Sequence, residues 1–214
     1  MINKITLNIV ALFLMFFIQS CLSENEGRTV SKEKEMNIFN DTLVIGGGCF
    51  WCTEAVFSEL KGVVKVEAGY AGGNTIKPNY KEVCTGTTNH AEVIRIFFNN
   101  EIISMESLLD VFFATHDPTT LNKQGADIGT QYRSVIFYKN LEQQHIAIDK
   151  IRQLESNKAY SSKIITEVSP LKEFYIAEDY HQQYYSNNKE QAYCTFVISP
   201  KLEKLEKLFK EKLK

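Results

Sequence analysis

The segment GGGCFWCTE, residues 46–54, gathers three glycines, two cysteines and the chain's single tryptophan. A short apolar run at 42–45 leads into it, and Ala55, Val56, Phe57 and Leu60 follow at helical spacing. Cys49 is therefore expected where a strand hands over to a helix. Backbone N–H groups and the helix dipole favour negative charge at such a position. A cysteine there is expected to have a lowered pKa and to be partly thiolate at neutral pH, hence nucleophilic. The glycines permit a tight turn and close approach of a substrate. Phe50 and Trp51 are expected to wall an apolar pocket beside the sulfur, with filling of the core as the alternative.

Other chemistries compete for the same residues. Cys49 and Cys52 have the C-x-x-C spacing of a thioredoxin-like disulfide oxidoreductase. A zinc site would need two more ligands, such as Cys84 and His90, but neither a second C-x-x-C nor an H-x-x-x-H is present. Two inert buried cysteines, or a binding module with an unreactive Cys49, are the bland alternatives. A phosphate loop is excluded, because the glycines complete neither G-x-G-x-x-G nor a following G-K-[ST].

The elements that must position these residues can be read from periodicity. Strands are expected at 42–45, 63–70, 91–98 and 134–138, with helices over 50–60 and from Ser104 or Ser107 onward. The order strand, helix, strand, strand, helix, strand is the split βαβ arrangement. The expected fold class is therefore α/β of the α+β kind, a ferredoxin-like core with two helices on one sheet face. Loops at 71–88 and 117–131 interrupt it, a helix over 141–155 follows, and 163–168 adds an edge strand. The last fourteen residues, KLEKLEKLFKEKLK, put Leu202, Leu205, Leu208, Phe209 and Leu213 on one helical face. That amphipathic helix, 201–214, is expected to cover the domain, with membrane contact through its lysines as the second reading.

The chain has 214 residues with 44% hydrophobic residues, enough for one domain with an appendage. A formal net charge of −2 gives no basic field of the kind nucleic-acid binders carry. The appendage is N-terminal. Lys4 precedes a largely apolar run, 5–18, whose length of about 21 Å falls short of a membrane span and suits an export signal. The run ends Ile18-Gln19-Ser20-Cys21, which resembles a bacterial lipobox, so residues 1–20 are expected to be removed and Cys21 lipidated. An ordinary secretory signal is the alternative. Residues 21–40 are polar and of mixed charge, a tether between anchor and the domain at 41–200. The expected location is the cell envelope, and the expected state a monomer.

The residues also match a family. GGCFWCTEAVF strongly resembles the active-site motif of the class A peptide methionine sulfoxide reductases. GYAGG (69–73), PNYKEVCTG (78–86), HAEV (90–93), HDPTTLNKQGADIGTQYRS (116–134) and FYIAEDYHQQY (174–184) resemble its other blocks, in the same order. The likeness runs from about residue 43 to 200. It implies a ferredoxin-like core and thiol-dependent reduction of the S epimer of methionine sulfoxide, free or in oxidised proteins. It further implies no bound cofactor or metal, and thioredoxin or a periplasmic equivalent as the dithiol donor.

The resemblance assigns roles residue by residue. Cys49 matches the nucleophile, left as a sulfenic acid after attack. Glu92 matches the acid, a carboxyl that an apolar pocket keeps protonated. Tyr80 and Tyr132 match phenols that bind the sulfoxide oxygen, Asp127 a carboxylate of the substrate network, and Phe50 and Trp51 the cage for the substrate methyl. Cys194 matches a C-terminal resolving cysteine and is preferred for that step, with Cys52 its competitor at disulfide reach of Cys49. Cys84 matches a non-catalytic position and is expected to be buried. Asn89 stands where many relatives carry Gly, and Asn tolerates a left-handed backbone.

Overall fold

Residues 39–214 are described by the structure, a computed structural model. The expected export signal, Cys21 and most of the tether lie outside them.

Strand β1 (Asp41–Gly46) buries its last four residues and pairs antiparallel on both sides, with β3 (Ala91–Phe98) and with β6 (Val135–Tyr138). Strand β2 (Val63–Ala71) pairs with β3, so the inner sheet order is β6-β1-β3-β2. This is the ferredoxin-like order expected from the element sequence. Two edge strands widen it to six: β7 (Glu167–Pro170), parallel to β6, and β8 (Phe174–Ile176), antiparallel to β2. The edge strand expected at 163–168 starts later, because its pairing register begins at Glu167 opposite Val135.

Period-two alternation in β3 decides what the site contains. Ile94, Ile96 and Phe98 belong to the main core, with Phe50 and Phe57 of helix α1 (Phe50–Ser58) and Leu108 and Phe112 of a second core helix (Met105–Thr115). Ala91 and Val93 join a smaller cluster with Val44, Ala71, Val135 and Phe137, overlain by Leu171 and Phe174. Glu92 has the parity of Ile94, so it lies on the α1 face. The β1–β3 register pairs Ile45 with Ile94, which brings the end of β1 beside the start of β3. A Cβ on Gly46 would sit 2.5 Å from the Glu92 carbonyl oxygen, so only glycine lets the two backbones approach this closely.

Both expected loops contain short elements. In the first, Asn79 and Glu82 form a capping box that starts α2 (Tyr80–Cys84). Val83 takes the inward position of this single turn and Cys84 is left exposed, contrary to the expectation that Cys84 is buried. The second loop holds a hairpin of β4 (Lys123–Gln124) and β5 (Asp127–Ile128), then a 3-10 turn at Thr130–Tyr132. The second core helix, α3 (Met105–Thr115), is capped by Ser104, and α4 (Leu141–Ser156) by Asn140.

The C-terminal helix, Ser199–Phe209, starts earlier than the expected 201 because Pro200 suits a first helical turn, and it ends short of the expected 214, giving way to a 3-10 turn at Lys210–Lys212. It packs on α1 and α3 and belongs to the same compact unit as the sheet. Leu205 is buried and Leu202, Phe209 and Leu213 are partly buried, but Leu208 remains about half exposed. The chain end is tied to α1 by Lys61 N–H to the Lys212 carbonyl at 2.8 Å and Lys214 N–H to the Glu59 carbonyl at 2.9 Å.

Candidate active site

Cys49 is the N-cap residue of α1, with extended backbone and no side-chain capping bond. The helix N-terminus is served from across the sheet instead: the Phe50 N–H donates to Glu92 Oε2 at 3.1 Å. Glu92 is 1% exposed. Its burial outweighs the bond from Phe50 and, with the nearby Asp127 and Cys52 charges, pushes its pKa up to about 8. At neutral pH this carboxyl holds a proton it can give away. Asn89, three residues earlier, adopts φ 58, the left-handed conformation the turn into HAEV requires.

The expected lowering of the Cys49 pKa is not found in the resting structure. Burial raises it well above the ordinary thiol value, and its hydrogen bond to Cys52 and the nearby Glu92 charge act in the same direction. The helix N-terminus is too weak to offset removal of a sulfur anion from water. The lowered thiol is Cys52, brought to about 7 chiefly by the hydrogen bond from Cys49, with Lys201 and Tyr193 assisting against burial. The two thiols therefore ionise against one another, and burial of both opposes a second negative charge once one is a thiolate.

Tyr193 organises the other side of the pair. Its hydroxyl lies 3.6 Å from the Cys52 sulfur and donates to Asp127 Oδ2 at 3.1 Å. Cys194 follows directly but is fully buried in the core, where a π-helical turn, Cys194–Ile198, begins. All four described cysteines are free thiols. Cys52 is the one in contact with Cys49; the Cys194 thiol is raised by burial and by the neighbouring Cys52 charge.

The phenols sit around Glu92. Tyr80 opens α2 and Tyr132 closes the 3-10 turn, whose last carbonyl accepts the Gly48 N–H at 3.2 Å. Burial raises both phenol pKa values, and the Glu92 charge adds to each, so both remain hydrogen-bond donors. Tyr80 is held at its backbone by Glu178, whose Oε1 accepts the Tyr80 N–H at 2.8 Å and whose Oε2 accepts the Tyr70 hydroxyl at 2.9 Å.

The aromatic wall is more elaborate than two residues. Trp51 stacks on Tyr184 with centroids 3.6 Å apart and an interplanar angle of 5°, and meets Tyr193 edge-on at 5.7 Å. Its indole N–H donates to His181 Nδ1 at 3.1 Å. Phe50 lies against Tyr70 and His181. The buried Glu54 carboxylate accepts the N–H groups of Gln183 and Tyr184 at 2.7 and 3.2 Å, which fastens this segment to α1. Tyr184, Tyr193, His181 and Glu54 were not singled out from the sequence. Their signals were their places in FYIAEDYHQQY, beside Cys194 and inside GGCFWCTEAVF; among ten tyrosines none stands out alone. Among the described residues no group of three His, Cys, Asp or Glu could hold a metal ion.

A ferredoxin-like sheet that sets a C-x-x-C pair at a helix start against a protonated buried carboxyl, with aromatic rings alongside, defines a thiol-based oxidoreductase. The sequence model described as peptide methionine sulfoxide reductase matches residues 41–213, and the chain belongs to that family. A "Peptide methionine sulfoxide reductase MsrA" of Trichodesmium erythraeum is 53% identical over 173 residues, covering 81% of this chain and 98% of the relative. One from Saccharolobus solfataricus is 52% identical over 174 residues, with 81% and 97% covered. Among solved structures, reduced Mxr1 of Saccharomyces cerevisiae superposes with TM-score 0.68 at 35% identity, covering 74% of this chain and 91% of that one. Methionine sulfoxide reductase A of Corynebacterium diphtheriae also gives 0.68, at 37% identity and 71% and 76% coverage. The reaction is thiol-dependent reduction of methionine sulfoxide.

Proposed function

We propose that Cys49 attacks the sulfur of a methionine S-sulfoxide while Glu92 protonates its oxygen, and that Cys52 is the first thiol to resolve the product. The observation that carries this reading is the Phe50 N–H bond to Glu92, which holds a protonated carboxyl at the helix start where Cys49 stands. The sulfoxide oxygen is a poor leaving group, so nucleophile and acid are needed together. Tyr80 and Tyr132 donate to that oxygen, Phe50 and Trp51 enclose the methyl, and Asp127 orders the network through Tyr193. The oxygen passes to Cys49, giving a sulfenic acid and methionine. The Cys49 proton goes to the Cys52 sulfur and the Glu92 proton to the oxygen, so charge and hydrogen balance.

The Cys52 thiol then attacks the Cys49 sulfenic acid, forming a disulfide and releasing water. Its contact with Cys49 and its pKa near 7 support this order, whereas Cys194 needs its turn to open first. Cys194 acts second, exchanging with the Cys49–Cys52 disulfide. An external dithiol of the thioredoxin type supplies the two electrons that close the cycle. One equivalent of methionine S-sulfoxide, without reductant, is expected to give a Cys49–Cys52 disulfide in C194S by mass spectrometry. Rapid formation of Cys49–Cys194 in C52S, at the wild-type rate, would make Cys194 the first resolving thiol.

The N-terminus supports a second proposal, that the enzyme is exported and anchored through lipidated Cys21, with oxidised envelope proteins as substrates and a periplasmic thioredoxin-like donor. The motif Ile18-Gln19-Ser20-Cys21 after an apolar run motivates it. Full-length protein in a bacterial host is expected to fractionate with membranes and C21A to become soluble. Equal distribution of the two would rule out the anchor.

A further inference from the structure

His181 takes no part in the reaction as derived above, yet it is 1% exposed at the centre of the aromatic wall. Its ring lies 4.9 Å from Phe50, 5.6 Å from Trp51, 4.4 Å from Tyr80 and 4.2 Å from Tyr180, centroid to centroid. An indole N–H is a donor only, so the nitrogen it meets must be unprotonated. The 3.1 Å bond from Trp51 to His181 Nδ1 therefore assigns a neutral ring with its proton on Nε2. That Nε2 is buried without a hydrogen-bond partner, 3.8 Å from Glu178 Oε2. A buried unpartnered donor is costly, and a ring kept under that cost points to the bond on its other nitrogen.

The bond does what the neighbouring stack cannot. Tyr184 lies parallel to the indole and fixes its plane. A half-turn about the Trp51 Cβ–Cγ bond returns the ring to the same plane with its N–H on the opposite side. The two states differ in which side carries the six-membered ring and which the N–H, and the bond to His181 Nδ1 favours the observed one.

We propose that His181 is a positioning residue: by accepting the Trp51 indole N–H at Nδ1, it fixes which edge of the indole faces the substrate's methyl group. This rests on the reading of Phe50 and Trp51 as the methyl cage. Protonation of His181 would put a second donor opposite the indole N–H and release the ring. The charged group facing His181 is Glu178, on its own turn. The facing phenols, Tyr80 of α2 and Tyr180, have raised pKa values and stay neutral. Burial keeps His181 below the ordinary histidine range, so the neutral form dominates at pH 7. The expected signature is a KM that rises on the acid side.

The test uses Trp51 as the chain's only indole, which gives one indole N–H peak in a ¹⁵N-correlated NMR spectrum. His181→Asn can place its Oδ1 where Nδ1 stands; His181→Phe keeps a ring and removes the acceptor. In H181F the indole peak is expected to move and KM for a blocked methionine S-sulfoxide to rise about tenfold with kcat little changed, the scale of a lost buried bond. H181N is expected to stay within about twofold of wild type and to lose the acid-side rise in KM. H181N behaving like H181F, with both folded by circular dichroism, would overturn the proposal. A KM rise in H181F without movement of the indole peak would overturn it alone and leave the cage reading standing. Movement of the peak without a KM change would overturn both.

Discussion

Cys49→Ser is expected to abolish turnover, with a loss in kcat/KM on the order of 10⁴-fold or more, as when a covalent nucleophile is removed. A serine hydroxyl is a far weaker nucleophile and cannot hold the transferred oxygen as a sulfenic acid does. The residue sits at a helix start and makes no capping bond, so the near-isosteric change leaves α1 in place. Substrate affinity should be retained, because the phenols, Glu92 and the aromatic wall are untouched. The measurement is dithiol-driven conversion of a defined S-sulfoxide, followed by chromatography, with binding measured separately. Activity persisting in the variant would sink the mechanism. A parallel assay with an insulin-type disulfide separates the thioredoxin-like alternative, in which that disulfide is reduced and Glu92 is dispensable.

Much of this site was legible in the residues. The glycine run before Cys49 announced a strand–helix junction, and β1 and α1 meet there. Glu92 was legible only through the resemblance, since a lone Glu opening a strand reads first as a solvated end; in the structure it shares the parity of Ile94 and Ile96, and the β1–β3 register brings it to Cys49. The ionisation of Cys49 was not legible. Helix position argued for a thiolate, but that argument omits burial, and burial depends on how α1, Tyr193 and the C-terminal helix pack. The partners of Trp51 were equally hidden. His181 and Tyr193 stand 130 and more positions away along the chain, and local pattern carries no information about such contacts. Cys84 illustrates a smaller failure: in a one-turn helix only one residue can face the core, and Val83 takes that place.

Replacement of Glu92 by Gln separates catalytic from structural consequences of one buried carboxyl. Glutamine keeps an acceptor for the Phe50 N–H, so the fold of the junction is preserved. It cannot release a proton to the sulfoxide oxygen, and general acid catalysis contributes roughly 10²–10⁴-fold, so kcat/KM is expected to fall by that amount. Wild-type activity should decline as pH rises through about 8, where Glu92 loses its proton, and E92Q should lack that limb in its residual rate. The stability effect has the opposite sign. The folded-state pKa is raised above the unfolded value, so the folded state binds more protons between about pH 4.5 and 8, and stability declines with pH across that window. Glutamine carries no charge to bury. E92Q is therefore expected to match wild type in acid and to exceed its stability at pH 9 by a few kcal/mol. Denaturant melts at pH 5 and pH 9 measure the difference. Equal stability of the two proteins at both values would mean that Glu92 is not held protonated by burial, and its role as the acid would then need another source for the proton.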